Sequence, residues 1–224
     1  MLCAKRGEYQ DWLSFAAEAE RSDDVLLIDP QQPWRFNMIG YEASRQGDGA
    51  GQAANVTRFI MELRSVIFRE NEQSGGNHLQ WRKQDERLIN QAVTVLMLAG
   101  EPVTPANIHS LILSAPDAAA QLLDAAWRAK DCNHWIAKAY ERTKTPVEEH
   151  DFKLACDYFL REWPAMADRT RSSILVGTMA TLTVINSGLC RELFACQTNT
   201  TPRQQIDGRK IVIVNMPPDE WGDL

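Results

Sequence analysis

Carboxylate and amide side chains at the ends of apolar runs are the residues of this sequence best suited to metal and nucleotide chemistry. Asp29 closes one such run, and Asn215 closes another and is followed four and five residues later by Asp219 and Glu220. ATPases hold Mg²⁺ through a carboxylate at the end of a strand. Proline stands close behind both runs, however, and we interpret both places as structural.

Other signatures of nucleotide or metal chemistry are missing from the sequence. The phosphate-binding pattern GxxxxGK[ST] occurs nowhere in the 224 residues, and the glycines from Gly47 to Gly51 have neither its lysine nor a preceding strand. The cysteines form no CxxC pair, and the histidines share no metal-ligand spacing. We therefore assign no catalytic residue, no metal ligand and no cofactor-binding residue in this chain.

Net charge limits the contacts that the chain can make with nucleic acid. Lys and Arg number 24 against 30 Asp and Glu, which gives a formal net charge of -6 and a pI of about 5.3. Only local clusters, Arg169 with Arg171 and Arg203 with Arg209 and Lys210, could neutralise phosphates. Surface ion pairing is the favoured interpretation of these five residues, so we expect DNA binding to be weak and salt-sensitive.

Composition predicts a soluble protein of a reducing compartment, which places it in the cytoplasm. Hydrophobic residues make up 44% and charged residues 24% of the chain, close to the globular average. The first residues carry Lys5 and Arg6 without the apolar stretch of a secretory signal. The longest mostly apolar window, from Ile174 to Ile185, is shorter than the roughly 20 residues that a membrane span needs.

Hydrophobic patterning predicts a mostly helical α/β protein. Short apolar runs at Val25–Asp29 and Lys210–Met216 are typical of buried strands of a parallel sheet. Between them the apolar residues recur at helical spacing, as at Leu88, Ala92, Val95 and Ala99. This order predicts an α/β segment over residues 1–71, an all-helical insertion over 72–168, and a returning helix and strand over 169–224.

Four segments, in this order along the chain, resemble the coupling proteins of conjugative type IV secretion, the TraG/TraD-type ATPases. They look like a strand ending in a Lys-Gly-Glu-like motif, a strand with Asp before Pro followed by an aromatic-Asn motif, a helix opening with tryptophan, and the stretch that returns to the sheet. In this sequence they are Cys3–Glu8, Leu27–Pro30 with Arg35–Met38, Trp81–Leu98, and Arg191–Phe194 through Thr198–Pro202 to Asp207–Val214.

The resemblance implies a RecA-like ATPase domain with an all-helical domain inserted into it. A complete relative is expected to bind ATP and Mg²⁺ as a ring-forming, inner-membrane-anchored motor that faces the cytoplasm and moves DNA, often with an attached relaxase, into the secretion channel. Its implied partners are the relaxase or relaxosome and the secretion-channel proteins. In the family the P-loop precedes the first matched segment and the Walker B strand follows the last, so neither site is carried over to any residue here.

Two functions remain as hypotheses from the sequence. The first is a middle segment of a conjugative coupling ATPase, from a truncated or split reading frame or an isolated part, without a complete nucleotide site of its own. The second is a stand-alone helical interaction module, an adaptor without catalytic activity. Because strand edges would stay unpaired in the first case, self-association into a homo-oligomer is expected.

Overall fold

One of the two compact units in this protein is discontinuous in sequence. The computed structural model describes residues 1–47, 49–68 and 76–217, with the backbone alone at residues 76–79. The first unit combines Met1–Tyr41 with the chain from Val184 onward, and the second is the stretch Glu42–Thr183. The first contains the sheet described below, and the regular elements described in the second are all helical.

The sheet has three parallel strands, and its central strand comes from the far end of the chain. Strands β1 (Leu2–Cys3), β2 (Val25–Ile28) and β3 (Ile211–Asn215) lie in the order β1-β3-β2. Val25 is in register with Ile211, and Leu2 with Val214. Parallel neighbours require a crossover connection, and the connection from β2 to β3 contains the whole helical unit. Both strands expected from the apolar runs are thus confirmed as parallel partners.

Burial in these strands alternates instead of being continuous. Leu26, Ile28 and Ile213 are buried, whereas Leu27 and Val212 are half-buried. The sequence predicted strands buried along their whole length, as is usual in a parallel sheet covered on both faces. In the described structure one helix, Glu8–Glu18, packs on β3, and side chains on successive residues of a strand point to opposite faces of the sheet.

Twelve helices accompany the strands in the described residues. They are α1 (Glu8–Glu18), α2 (Met38–Ser44), α3 (Ala53–Ile67), α4 (Gly76–Ala99), α5 (Pro105–Leu113), α6 (Ala125–Arg128), α7 (Asp131–Arg142), α8 (Pro146–Asp157), α9 (Trp163–Ala165), α10 (Asp168–Ile185), α11 (Gly188–Phe194) and α12 (Pro202–Asp207). Short 3₁₀ turns cover Ser22–Asp24 and Ala119–Leu123, and a π-helical turn joins α8 to α9 over Tyr158–Glu162. Pro164 lacks the N–H that would continue regular α-helical bonding at this point.

Helix α4 is the centre of the helical unit. It packs against α3, α5, α7 and α8. The predicted apolar face of α4, which runs from Leu88 to Ala99, is fully buried. Ile89, Val93 and Leu96 beside it are fully buried too. Because neighbours surround α4 on several sides, it buries more than one stripe, whereas an amphipathic surface helix buries only one.

The unit boundaries differ from the expected ranges 1–71, 72–168 and 169–224. Helix α3 was expected in the α/β segment, but it packs along α4 and buries Val56 and Ile60 there. Most of α10 also belongs to the helical unit. The apolar face of a helix does not reveal which neighbour covers it, so the sequence pattern could not assign α3 to the helical unit.

A buried ion pair lies in the interior of the helical unit. Arg64 of α3 donates from Nη1 to Oδ2 of Asp85 on α4, and both residues are at most 8% exposed. Thr178 Oγ1 of α10 lies 3.4 Å from Asp85 Oδ1. A Cβ at Gly177 would come within 2.6 Å of Asp85 Oδ2, so glycine is required for α10 to approach this closely. The pair thus sits where α3, α4 and α10 converge.

Breaking this pair should destabilise the protein far more than replacing both partners together. We expect Asp85→Leu alone to lower the free energy of unfolding by about 3–5 kcal/mol, since it leaves the Arg64 guanidinium buried without its carboxylate. The double variant Arg64→Met with Asp85→Leu should recover most of that loss. Urea unfolding measures both, with the exposed Glu141→Gln as a control. A single variant as stable as the control would contradict the assignment.

Candidate functional site

Two of the segments that carry the family resemblance are hydrogen-bonded to each other in the sheet unit. The backbone N–H of Arg35 donates to Asn199 Oδ1 (2.7 Å), and the backbone N–H of Asn199 donates back to the Arg35 carbonyl (3.0 Å). Asn37 donates its N–H to the Gln197 carbonyl (3.1 Å) and to Thr198 Oγ1 (2.9 Å). The segment after β2 is thereby fastened to the segment that leads into α12.

Side chains strengthen the same junction. Arg35 Nη2 lies 2.6 Å from Glu192 Oε1, and the Arg35 side chain is only 12% exposed. Asn37 is buried, and its Oδ1 accepts the N–H of Gly40 (3.0 Å) at the start of α2. An asparagine oxygen in this position satisfies a backbone donor of the first helical turn. The aromatic-Asn motif is therefore explained locally by helix capping and by this junction.

The carboxyl ends of β2 and β3 bring together Asp29 and Asn215, the two residues noted first in the sequence. Asn215 Nδ2 donates to Asp29 Oδ2 (2.8 Å), and Asp29 Oδ1 accepts the N–H of Gln31 (2.9 Å). Asn215 is 4% exposed, and its Oδ1 has no hydrogen-bond partner among the described atoms. Ligands of open α/β sheets bind outside the carboxyl ends of the strands, so this is the edge where a site would be expected.

Beside them, the Lys-Arg-Gly-Glu stretch turns the chain from β1 into α1. Gly7 has φ 78°, a left-handed conformation that glycine adopts without strain, and Glu8 Oε2 accepts the backbone N–H of Ala4 and Lys5 (3.1 and 3.2 Å). Burial, and then the nearby Glu8, raise the pKa of the fully buried Cys3 thiol. A protonated, buried thiol is a poor nucleophile and a poor metal ligand.

The carboxylates at this edge are thus engaged by their own chain. Both oxygens of Asp29 accept hydrogen bonds, and Glu8 closes a loop. Within residues 1–47, 49–68 and 76–217, no group of three or more His, Cys, Asp or Glu side chains is placed to hold a metal ion. Asp219 and Glu220 lie outside the described residues. The structural interpretation of Asp29 and Asn215 stays a prediction.

A basic groove lies at the opposite, amino-terminal end of β2 and β3. Its volume is about 700 Å³, and its charged lining residues are Arg21, Asp24, Arg209 and Lys210. Arg209 and Lys210 were candidates from the sequence. Arg21, which directly precedes the 3₁₀ turn Ser22–Asp24, was missed because it is 188 residues away from Arg209. Arg203 is not in the lining and lies 3.5 Å from Asp207, one turn along α12.

Asp24 neutralises much of the positive charge in the basic groove. Its carboxylate accepts Arg21 Nε (3.0 Å) and Lys210 Nζ (3.2 Å), and these hydrogen bonds, Arg21 first, lower the pKa of Asp24. Arg21 Nη2 also donates to the carbonyl of Arg209 (2.5 Å), which helps to hold Arg209 at φ 51°. Arg209 is an exposed cation of the groove, and no described residue forms an ion pair with its side chain.

The second predicted cluster separates into a buried and an exposed residue. Arg171 is 8% exposed and pairs with the exposed carboxylates of Asp168 (2.6 Å) and Asp117 (3.7 Å), so its charge is already engaged within the helical unit. Arg169, two residues earlier on α10, is exposed. Residues two positions apart on a helix point in different directions, so Arg169 and Arg171 do not form a cluster on the surface.

Comparison with known proteins returned no match, neither to a family model nor to a curated protein nor to a solved structure. In the described part of the chain, no single helix is long and apolar enough to cross a membrane, and the consecutive bent pair α10 and α11 reaches the required length and composition only jointly.

DNA binding through the basic groove should be weak and should depend on Arg209 and Lys210. We expect micromolar or weaker affinity for a 30-nucleotide single strand at about 150 mM salt, with the shallow salt dependence of about two phosphate contacts. Fluorescence anisotropy should show at least a twofold loss for Arg209→Ala with Lys210→Ala. The control pair Lys130→Ala with Lys153→Ala removes equal charge from exposed positions of the helical unit. Nanomolar binding, or equal losses in both pairs, would contradict this account.

Proposed function

We propose that this chain supplies a partial RecA-like sheet and its inserted helical domain to a conjugative coupling ATPase of the TraG/TraD type. The observation that carries the proposal is the pairing of β2 with β3. These strands are neighbours in the sheet, although the all-helical unit Glu42–Thr183 lies between them in sequence. A helical domain inserted between two parallel strands is the arrangement that the resemblance implies.

The placement of the resembling segments supports the same proposal. Cys3 and Asn215 end the neighbouring strands β1 and β3, Asp29 follows β2, and the aromatic-Asn segment is bonded to the segment around Asn199. Within the first unit, these hydrogen bonds tie the segment after β2 to the segment that returns to the sheet.

ATP and Mg²⁺, which a complete family member binds, do not fit the residues of this chain. The sequence has no P-loop, Asp29 accepts two hydrogen bonds within the sheet unit, and Glu8 accepts two from its own loop. Phosphoryl transfer depends almost entirely on positioning and charge neutralisation of the phosphates and the metal. In this proposal those groups come from polypeptide outside this sequence, and the chain contributes scaffold and docking surface.

A helical adaptor is the second candidate function, and one feature of the helical unit favours it. Val147 and Leu154 on α8 are 71% and 49% exposed, and both line a groove between α3, α4 and α8. Exposed apolar side chains around a groove are typical of protein-binding surfaces. In an adaptor this surface would act alone, and the sheet unit would be dispensable.

The two candidates differ in whether the sheet unit matters for DNA transfer. In a strain whose conjugative element has lost the gene, transfer frequency is measured after complementation with variants of the whole chain. Arg35→Ala with Asn199→Ala removes the side-chain hydrogen bonds of the junction in the sheet unit, and Val147→Ser with Leu154→Ser alters only the helical unit. A coupling segment requires the junction, so the first pair should lower transfer at least tenfold.

An adaptor would tolerate the junction pair and lose transfer with the serine pair. If neither pair, nor deletion of the gene, changed transfer, both functions would be excluded. Circular dichroism of the purified variants establishes that the helical unit is intact in each. This control is needed because the junction pair removes hydrogen bonds that link segments far apart in sequence.

The purified chain should not bind nucleotide. Isothermal titration calorimetry with ATP and Mg²⁺ should detect no binding with a Kd below about 1 mM, since the sequence contains no phosphate-binding loop. Micromolar binding would contradict this prediction. Loss of such binding in Asp29→Ala, but not in the control Asp151→Ala, would then locate the site at the carboxyl edge of the sheet.

A further inference from the structure

The groove between α3, α4 and α8 is acidic as well as partly apolar. It has a volume of about 570 Å³, and Glu148 and Asp151 of α8 stand in its wall. No Lys, Arg or His is found in its lining among the residues that the structure describes. Met97 and Leu98 of α4 are half-buried members of the same lining. We call this feature the α8 groove.

Helix α8 presents a regular face to the α8 groove. Val147, Asp151 and Leu154 follow one another at spacings of four and three residues, so they lie on one side of the helix. Val147 and Leu154 are about 10 Å apart along the axis, which is two turns of helix. A helix that lies along α8 can therefore cover Val147 and Leu154 with two apolar residues of its own that are two turns apart.

Hydrogen bonds at the start of α8 fix the position of the Glu148 carboxylate, one of the two negative charges of the α8 groove. Glu148 accepts the backbone N–H of Lys144 and Thr145 (3.0 and 2.9 Å) in a capping box, and these bonds lower the pKa of its carboxyl group. It stays ionised at neutral pH. Asp151 is exposed beside Val147. An occupant must therefore bring positive charge as well as apolar side chains to this surface.

We propose that the α8 groove binds a basic amphipathic helix of a partner protein, with Lys or Arg facing Asp151 and apolar residues covering Val147 and Leu154. Helix-in-groove binding of this kind needs an apolar groove and anchors at spacings of three or four residues. The inference deepens the docking role proposed above for the helical unit and rests on it. It is tested by binding in solution, which is separate from any measurement of DNA transfer.

The test uses two labelled 14-residue peptides of leucine and a charged residue at helical spacing, one with lysine and one with glutamate. Fluorescence anisotropy with the whole chain at about 150 mM salt should give micromolar binding of the lysine peptide and at least tenfold weaker binding of the glutamate peptide. Asp151→Lys should weaken the lysine peptide about fivefold and strengthen the glutamate peptide. Val147→Ser with Leu154→Ser should weaken both peptides about tenfold.

Glu141→Lys is the matched control, because it makes the same change of charge at an exposed position of α7 outside the groove lining. It should leave both affinities within twofold of those of the original chain. Equal effects of Glu141→Lys and Asp151→Lys would reduce the binding to bulk charge and overturn the proposal. The absence of lysine-peptide binding when the chain is raised to about 100 μM would also overturn it.

Light scattering without peptide tests the other occupant, a second copy of the chain. A dimer that the serine pair abolishes would assign the α8 groove to self-association and overturn the proposal of a partner helix. A chain whose association state is the same with and without the serine pair supports it. All substituted side chains are exposed, so circular dichroism should show the same helix content throughout.

Discussion

Backbone hydrogen bonding by the last strand is the constraint on which the rest of the structure depends. Strand β3 has polar groups along both edges, and it satisfies them with β2 on one side and with β1 and the N-terminal amino group on the other. Since β1 and β2 do not pair with each other, neither forms a sheet until the end of the chain arrives. The sequence between β2 and β3 must therefore begin and end at neighbouring places.

Polar side chains stabilise both units at points where segments distant in sequence meet. In the first unit, Arg35 and Asn199 tie the segment after β2 to the segment before α12. In the second, Arg64 and Asp85 pair in the interior beneath Gly177. Buried polar groups are costly unless they are bonded, so the Arg64–Asp85 pair favours one packing arrangement over its alternatives.

Hydrogen bonding within the chain also involves the polar side chains at the carboxyl edge of the sheet. Asp29, Asn215 and Glu8 stand where α/β proteins bind ligands, yet their hydrogen bonds are directed mainly to one another's segments and to the backbone. Two other surfaces are better candidates for binding a partner: the basic groove that contains Arg209 and the α8 groove. Both surfaces combine charge with side chains that the described residues leave accessible.

Local pattern alone determined the type of each main element. The two apolar runs became β2 and β3, and the spacing of Leu88, Ala92, Val95 and Ala99 became a buried face of α4. Such patterns are local because strand and helix place successive side chains at fixed angles. The same reasoning located Arg209 and Lys210, which are neighbours in sequence and remain neighbours in the basic groove.

Tertiary structure decided the contacts between residues far apart in sequence. It buried Arg171 against Asp117 and Asp168, brought Arg21 to Arg209, and assigned α3 to the helical unit through its packing on α4. It also paired Asp29 with Asn215 across 186 residues. Side-chain type and spacing carry no record of such partners, because the partner is chosen by the burial and hydrogen bonding of the whole chain and not by the segment itself.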